Sequence, residues 1–463
     1  MNNRSLKRPV LIIAALSSFM APFMGSAVNL ALPEIGEEFG ADAIGLNWIV
    51  SSYILASAIL LLPAGRMADR VGRKAVFTAG ILIFTLSTVA ILFSNSLSYL
   101  LFMRVVQGAG SALLFSTSLA IVTAVFPPGE RGAAMGINVT AVYAGLSAGP
   151  FIGGYLTAAF GWRSLFLFLI PFGVLCMLLI AGYLKREEWS GGEKGRFDWP
   201  GSMLYGVSLF LLMYGFSRLQ ETTGLIMTGS GVVIFLLFLL YEKGISNPVL
   251  NISVITGNRV FAYSCLAAFI HYSATSATGF FISLYLRYIK ETGPEKAGLI
   301  LMAMPVAMMI LSPFSGRLSD RHDPGIIASW GMAITAAGII AMLFLTEDTT
   351  VSVVTAILLV MGTGFAFFSS PNTNAIMSSA ESRHLGLASA VTGTARMTGQ
   401  MVSMGISMLL FALIIGREAI TPDNHADLMG AMRVGFSIFA LLCIGGLFAS
   451  RARNRGHRHR KAR

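Results

Sequence analysis

The chain has 463 residues, of which 55% are hydrophobic and only 12% charged, against about 25% charged in an ordinary soluble domain. A bilayer-spanning helix takes about 20 apolar residues, so this apolar stock suffices for roughly a dozen spans or slightly more and excludes a soluble enzyme or a disordered chain. The net charge of +11 is explained by its placement along the chain, which follows a membrane and not a nucleic acid.

Long apolar runs divided by short polar gaps predict fourteen membrane helices, in chain order at 10–32, 46–65, 75–94, 98–122, 133–157, 164–184, 199–217, 224–242, 260–286, 296–316, 325–346, 351–373, 385–415 and 428–450. The first begins after Arg4, Lys7 and Arg8, as a signal peptide would. Its run from Val10 to Leu32 is long, however, and Pro33 and Glu34 follow without a small-residue cleavage pattern, so a retained span is expected. Threading the helices alternately across a bilayer places most of the 33 Lys and Arg residues on the side of the two termini. That bias predicts a multi-pass plasma (inner) membrane protein with both termini cytoplasmic. The tail after Arg451 then faces lipid headgroups, and nucleic acid is not an expected partner. Cys176, Cys265 and Cys443 lie far apart in apolar runs, with neither metal nor disulfide spacing. They are expected as small buried hydrophobes, and no cofactor or metal is implied.

The chain carries an internal repeat. Gly65-Arg66-Met67-Ala68-Asp69-Arg70 after the second helix matches Gly316-Arg317-Leu318-Ser319-Asp320-Arg321 after the tenth. Gly108-Ala109-Gly110 matches Gly362-Thr363-Gly364, and Gly132 matches Gly386. Nearly constant offsets predict an all-α protein of two related six-helix halves, 1–188 and 259–450. Two additional helices occupy 189–258, and a basic tail spans 451–463. Parallel repeats of this kind build transporters that bind substrate between the halves and expose it alternately to either side.

The segment Gly65 to Lys74 resembles the loop signature of the major facilitator superfamily. Gly65, Asp69, Arg70, Gly72 and Arg73, with Asp320 and Arg321 in the second copy, are then expected to latch the cytoplasmic side. In helix five, Gly145, Gly149 and Gly153 recur every four residues on one face, which favours close packing with another helix. Together with Pro150 and Gly154 the pattern resembles the antiporter signature of exporters in this superfamily. Arg104, with Gln107 and Gly108, resembles the helix-four motif whose arginine is assigned a part in proton coupling. An arginine tied to backbone carbonyls is the competing reading. Fourteen spans and the export pattern together resemble the fourteen-helix drug:proton antiporters, among them multidrug, quaternary-ammonium and tetracycline exporters.

One departure bears on the substrate. The family's helix-one motif usually carries an aspartate where this chain has Met24, and none of the 22 Asp and Glu residues is left for the membrane core on this helix placement. Carboxylates are the usual proton carriers in transporters and the natural counter-charge for cationic drugs. Neutral, zwitterionic or anionic amphipaths are therefore the expected substrates. His271 and Glu34, besides Arg104, are candidate proton carriers, and an uncoupled facilitator stays open. By the family pattern the substrate surface draws on Met24, Asn29, Gln107, Tyr272, Phe367, Asn372 and Asn374, with Arg396 in helix thirteen. No Ser-His-Asp set, paired carboxylates, metal cluster or nucleotide loop points to an enzyme. Export of a lipid or lysophospholipid is the nearest alternative, and a transport-dead sensor is a third. No obligate protein partner is implied, since one chain holds both halves.

Overall fold

The computed structural model describes residues 3–126, 128–184, 197–219, 221–245, 248–250, 258–379, 385–416, 420–421 and 424–461. Every element among them is helical. The membrane helices are α1 (Leu6–Phe39), α2 (Ala43–Val71), α3 (Arg73–Ile91), α4 (Leu97–Val125), α5 (Pro128–Phe160), α6 (Arg163–Tyr183), α7 (Trp199–Phe216), α8 (Thr222–Glu242), α9 (Arg259–Ile289), α10 (Pro294–Ser319), α11 (Pro324–Met342), α12 (Val351–Ser379), α13 (Leu385–Ile414) and α14 (His425–Lys461). Twelve combine the length and apolarity needed to cross a bilayer, and α5 and α7 complete the expected fourteen. Several begin where a short polar side chain accepts a free backbone N–H: Asp42 from Gly45 at 2.6 Å, Ser96 from Tyr99 at 3.3 Å, Asn258 from Phe261 at 3.2 Å.

The two halves repeat one packing scheme. In the first, α1 packs on α5 and α6, α2 on α4, and α3 on α4 and α6. In the second, α9 packs on α13 and α14, α10 on α12, and α11 on α12 and α14. The glycine landmarks mark the same joints. A Cβ on Gly108 would come within 2.9 Å of Ala56 in α2, and one on Gly362 within 2.8 Å of Ala307 in α10. Gly110 and Gly364 likewise abut the backbones of α3 and α11, at Phe84 N (2.6 Å) and Thr335 N (2.5 Å).

The halves meet along two seams, α5 with α10 and α2 with α13. The additional pair α7–α8 covers the second seam, because α7 packs on both α2 and α13. Tyr205 of α7 donates its hydroxyl to Ala58 O at 3.3 Å, and a Cβ on Gly405 of α13 would lie 2.8 Å from the Phe216 ring. On α8, Leu225, Ile226, Leu236 and Leu240 are exposed, as lipid-facing side chains of a peripheral span must be. The three cysteines are buried and free.

The signature segments are helical where the sequence suggested loops. α2 has 29 residues, about 44 Å of helix at 1.5 Å per residue against about 30 Å of hydrocarbon. Its last turns therefore carry Gly65 to Val71 out of the apolar layer without unwinding. The α10 helix runs on to Arg321, and Asp323 then caps α11 by accepting from Gly325 N at 2.7 Å. That cap accounts for the different residues after Arg321 in the second copy. The reversal between α2 and α3 is made by Gly72 alone, at φ 109° and ψ 132°, a conformation nearly closed to residues with a Cβ. Gly72→Ala should cost about 1–3 kcal/mol. Gly65→Ala, in a helix with open space around the new methyl, should be neutral or stabilising by up to about 1 kcal/mol. Thermal unfolding of the two purified variants checks the contrast.

Both first helices of the halves are broken. α1 tightens to a 3₁₀ turn over Val28–Ala31 and restarts with Pro33 in its first turn. α9 is interrupted after Thr275, where Ser403 Oγ accepts the Ala277 N–H at 2.9 Å, and it ends in a π-turn over Tyr285–Ile289. Such departures from α geometry often mark functional hinges.

Candidate functional site

Near mid-bundle, where the halves face each other, the charged group is Arg396 of α13. Its guanidinium carbon lies 5.3 Å from the ring centre of Phe115 in α4. The Tyr272 hydroxyl of α9 lies near Arg396 and near Ser369 of α12, and Tyr143 of α5 is close by. Among the described residues no carboxylate pairs with Arg396. Beside Phe115 a narrow cleft, too tight in this arrangement to admit a water-sized sphere, is lined by Ser17, Ser18, Leu114, Phe115 and Ser118. The Ser18 and Ser118 hydroxyls are 3.3 Å apart, Asn138 Nδ2 donates to Ser118 Oγ at 3.4 Å, and Asn138 Oδ1 is buried without a partner. A fixed cation, aromatic faces, hydroxyls and an open amide acceptor suit a flat amphipath that brings its own donors and carries a negative or neutral head.

Arg104 is elsewhere. It is fully buried, stacked 4.4 Å over the Tyr53 ring, with Nε donating to Ile49 O at 3.0 Å and Nη1 to Gln107 Oε1 at 2.6 Å. Gln107 passes the chain on, its Nε2 donating to Thr88 Oγ1 at 2.8 Å. Both are therefore engaged within α2, α3 and α4, and Gln107 does not reach the mid-bundle cleft. His271 is also fully buried, with its ring centre 4.0 Å from that of Phe368 and 4.8 Å from that of Phe365, and neither ring nitrogen has a partner. Asn372 ties α12 to α9 through Ser264 O at 3.0 Å, and Asn374 ties α12 to α10 through Ser319 Oγ at 3.0 Å. Phe367 is half-buried against Phe314, and Met24 is fully buried. Of the expected surface, Tyr272 and Arg396 stand together, with Arg396 over the Phe115 ring that borders the cleft.

Polar contacts between the halves gather at the end of the bundle away from the termini. Ser283 Oγ donates to Asn29 O at 2.6 Å, Glu34 pairs with Arg287, and Asn47 Nδ2 donates to Ser407 Oγ at 2.8 Å. Asn29 Oδ1 is left buried without a partner. The glycine face of α5 works in the same region. Gly145, Gly149 and Gly153 back onto α1, where a Cβ at Gly149 would stand 3.0 Å from Phe23 O and one at Gly153 2.8 Å from the Ala27 Cβ. Gly154 instead meets α10, 3.1 Å from the Pro294 carbonyl carbon, and Gly298 of α10 returns the contact at the Pro150 carbonyl carbon, 3.0 Å away. One glycine pattern thus serves both packing within a half and closure between halves.

At the opposite end, Arg70 and Arg321 are exposed and Arg73 is half-buried. The side chains of Asp69 and Asp320 lie outside the described residues. The sequence reasoning missed Arg287 and the Ser17–Ser18–Ser118–Asn138 group. The repeat offset could have found the former, since Glu34 plus 254 is Tyr288, the neighbour of Arg287.

The family model for the Major Facilitator Superfamily matches residues 14–404. The chain belongs to the major facilitator superfamily. It is a multi-pass membrane transporter and not an enzyme. It is 30% identical over 438 residues to the riboflavin transporter RibZ of Clostridioides difficile strain 630, covering 95% of both chains. It is 27% identical to the tetracenomycin C resistance and export protein of Streptomyces glaucescens, over 90% of this chain and 78% of that one. In fold it is similar to the crystal structure of a peptide transporter, POT, in complex with sulfate, with a TM-score of 0.71 at 13% identity over 98% of this chain and 99% of that one. The superfamily's paired six-helix halves account for the repeated contacts, with α7 and α8 as the insertion between them.

Proposed function

We propose that this transporter exports amphipathic small molecules of neutral, zwitterionic or anionic character across the inner membrane, in exchange for protons, with both termini cytoplasmic. The observation that carries the substrate class is Arg396, near Phe115 and Tyr272, with no carboxylate paired to it among the described residues. An unpaired guanidinium beside aromatic faces attracts an anionic or electron-rich flat solute and repels a dication. The name of one relative, a riboflavin transporter, and of another, an antibiotic export protein, supports a flat aromatic cargo and the outward direction. The expected halves, 1–188 and 259–450, would rock about the cleft. The Glu34–Arg287 and Ser283–Asn29 contacts hold the outer mouth shut in the arrangement described. Glu34 is a better proton acceptor candidate than His271 on access, since its side chain is 28% exposed while His271 is sealed among aromatic rings.

Flux in proteoliposomes under an imposed pH gradient tests this reading, with fluorescein as anion, riboflavin as neutral solute and ethidium as cation. Fluorescein and riboflavin should be driven and ethidium should not. Losing a charged hydrogen bond costs about 1.5–3 kcal/mol, so Arg396→Gln should lower fluorescein flux roughly tenfold or more and riboflavin flux less. Preference for ethidium, or flux indifferent to the pH gradient, would overturn it.

A further inference from the structure

Two carboxylates that the transport cycle above does not use face each other where α7 begins and α8 ends, on the termini side. Asp198 is 8% exposed and Glu242 is 2% exposed. One oxygen of each has an ordinary structural task. Asp198 Oδ1 caps α7, accepting from Gly201 N at 2.8 Å and from the Tyr241 hydroxyl at 3.3 Å. Glu242 Oε2 accepts from Leu250 N at 2.9 Å. The second oxygens, Asp198 Oδ2 and Glu242 Oε1, receive no hydrogen bond from any donor among the described residues. Both crowd the space above Gly201 where a Cβ would sit, Glu242 Oε1 2.5 Å from that point and Asp198 Oδ2 closer still. Gly201 is thus the residue that lets the two side chains converge.

Two buried carboxylate oxygens aimed at one point cannot both stay ionised without a cation or a proton between them, and no donor among the described residues supplies one. We infer that Asp198 and Glu242 share a single proton and form a proton-binding site at the foot of the inserted α7–α8 pair. Among the described residues, the charged and titratable groups that face this pair are Arg66 of α2 and Tyr241 of α8, and Arg66 is the cation whose field reaches Glu242. Arg66 belongs to the signature segment at the end of α2, and α7 lies over the α2–α13 seam. With the proton bound, the pair carries one negative charge beside Arg66. On losing it the pair carries two, and its attraction for the end of α2 rises. The site therefore ties proton concentration to the seam that separates the halves, at a place distinct from the mid-bundle cleft.

The test needs no transported solute, so it is independent of the export proposal. Infrared difference spectra of the purified full-length chain, recorded between acidic and alkaline pH, report protonated carboxyl groups by their C=O stretch. The wild type should show one such band still present at neutral pH. Glu242→Gln should abolish it, since no second carboxylate is then left to share a proton. Asp198→Asn, which keeps the cap because Asn serves there as well as Asp, should abolish it equally. Loss of the whole band in either single variant is the signature of one shared proton. Absence of a neutral-pH carboxyl band in the wild type, or its persistence in either variant, would overturn the inference. Thermal unfolding of both variants confirms that folded protein was measured.

Discussion

Gly298→Leu is expected to hold the outer mouth open and to lower transport about 5- to 150-fold. Gly298 stands in the first turns of α10, and a Cβ there would already lie 3.0 Å from the Pro150 carbonyl carbon of α5 and 3.2 Å from Leu30 Cδ1 of α1. These are contacts between the halves, so a larger side chain penalises the closed outer mouth and leaves each half alone. Overpacking costs about 1–3 kcal/mol, and tenfold per 1.4 kcal/mol converts that to the stated range. Spin labels at Asn95 and Asp348, both exposed, in opposite halves and at the end of the bundle away from the termini, should move apart in the variant. Gly182→Leu serves as control, because nothing lies within 4 Å of that position. Equal distances and equal flux in the two variants would show that the α5–α10 glycines do not govern closure.

Such a gate could be half read from the sequence. The spacing of Gly145, Gly149 and Gly153 announces a close helix partner by itself, because three small residues on one face are useless unless a backbone comes near. That the partner is α1, and that Gly154 turns to α10, depends on the tertiary arrangement and has no local signal. The fourteen spans were legible because apolar runs and cation placement are imposed by the bilayer directly. Their ends were not, since α2 and α10 keep their helical hydrogen bonds past the hydrocarbon and the signature residues simply ride on the protruding turns. Asp198 and Glu242 looked solvated because they sit at helix ends. Tertiary packing, in which α7 lies against α8 and Leu250 closes on Glu242, buries them. Ser17, Ser18, Ser118 and Asn138 were missed for a related reason: single small polar residues in apolar runs satisfy themselves on the helix backbone so often that their convergence from α1, α4 and α5 leaves no mark in one sequence.

Arg104→Lys, formally a conservative change, should destabilise the bundle by about 2–4 kcal/mol. The native guanidinium spreads its contacts in a plane: Nε to Ile49 O, Nη1 to Gln107 Oε1, and a face laid on Tyr53. A lysine ammonium retains the cost of a buried charge but is a point donor on a flexible stem. It cannot fork to both acceptors or stack in the same way. One charged hydrogen bond, worth about 1.5–3 kcal/mol, is lost and its buried acceptor is left unpaired. Thermal unfolding of the purified protein should fall accordingly, and a double-mutant cycle with Gln107→Ala should show coupling of at least about 0.5 kcal/mol because the two residues touch. The consequence for the transport cycle is that Arg104 acts first as a rivet for α2, α3 and α4. If lysine left both the melting temperature and the flux unchanged, its role would be that of a bare charge, and a part in moving protons would regain the stronger position.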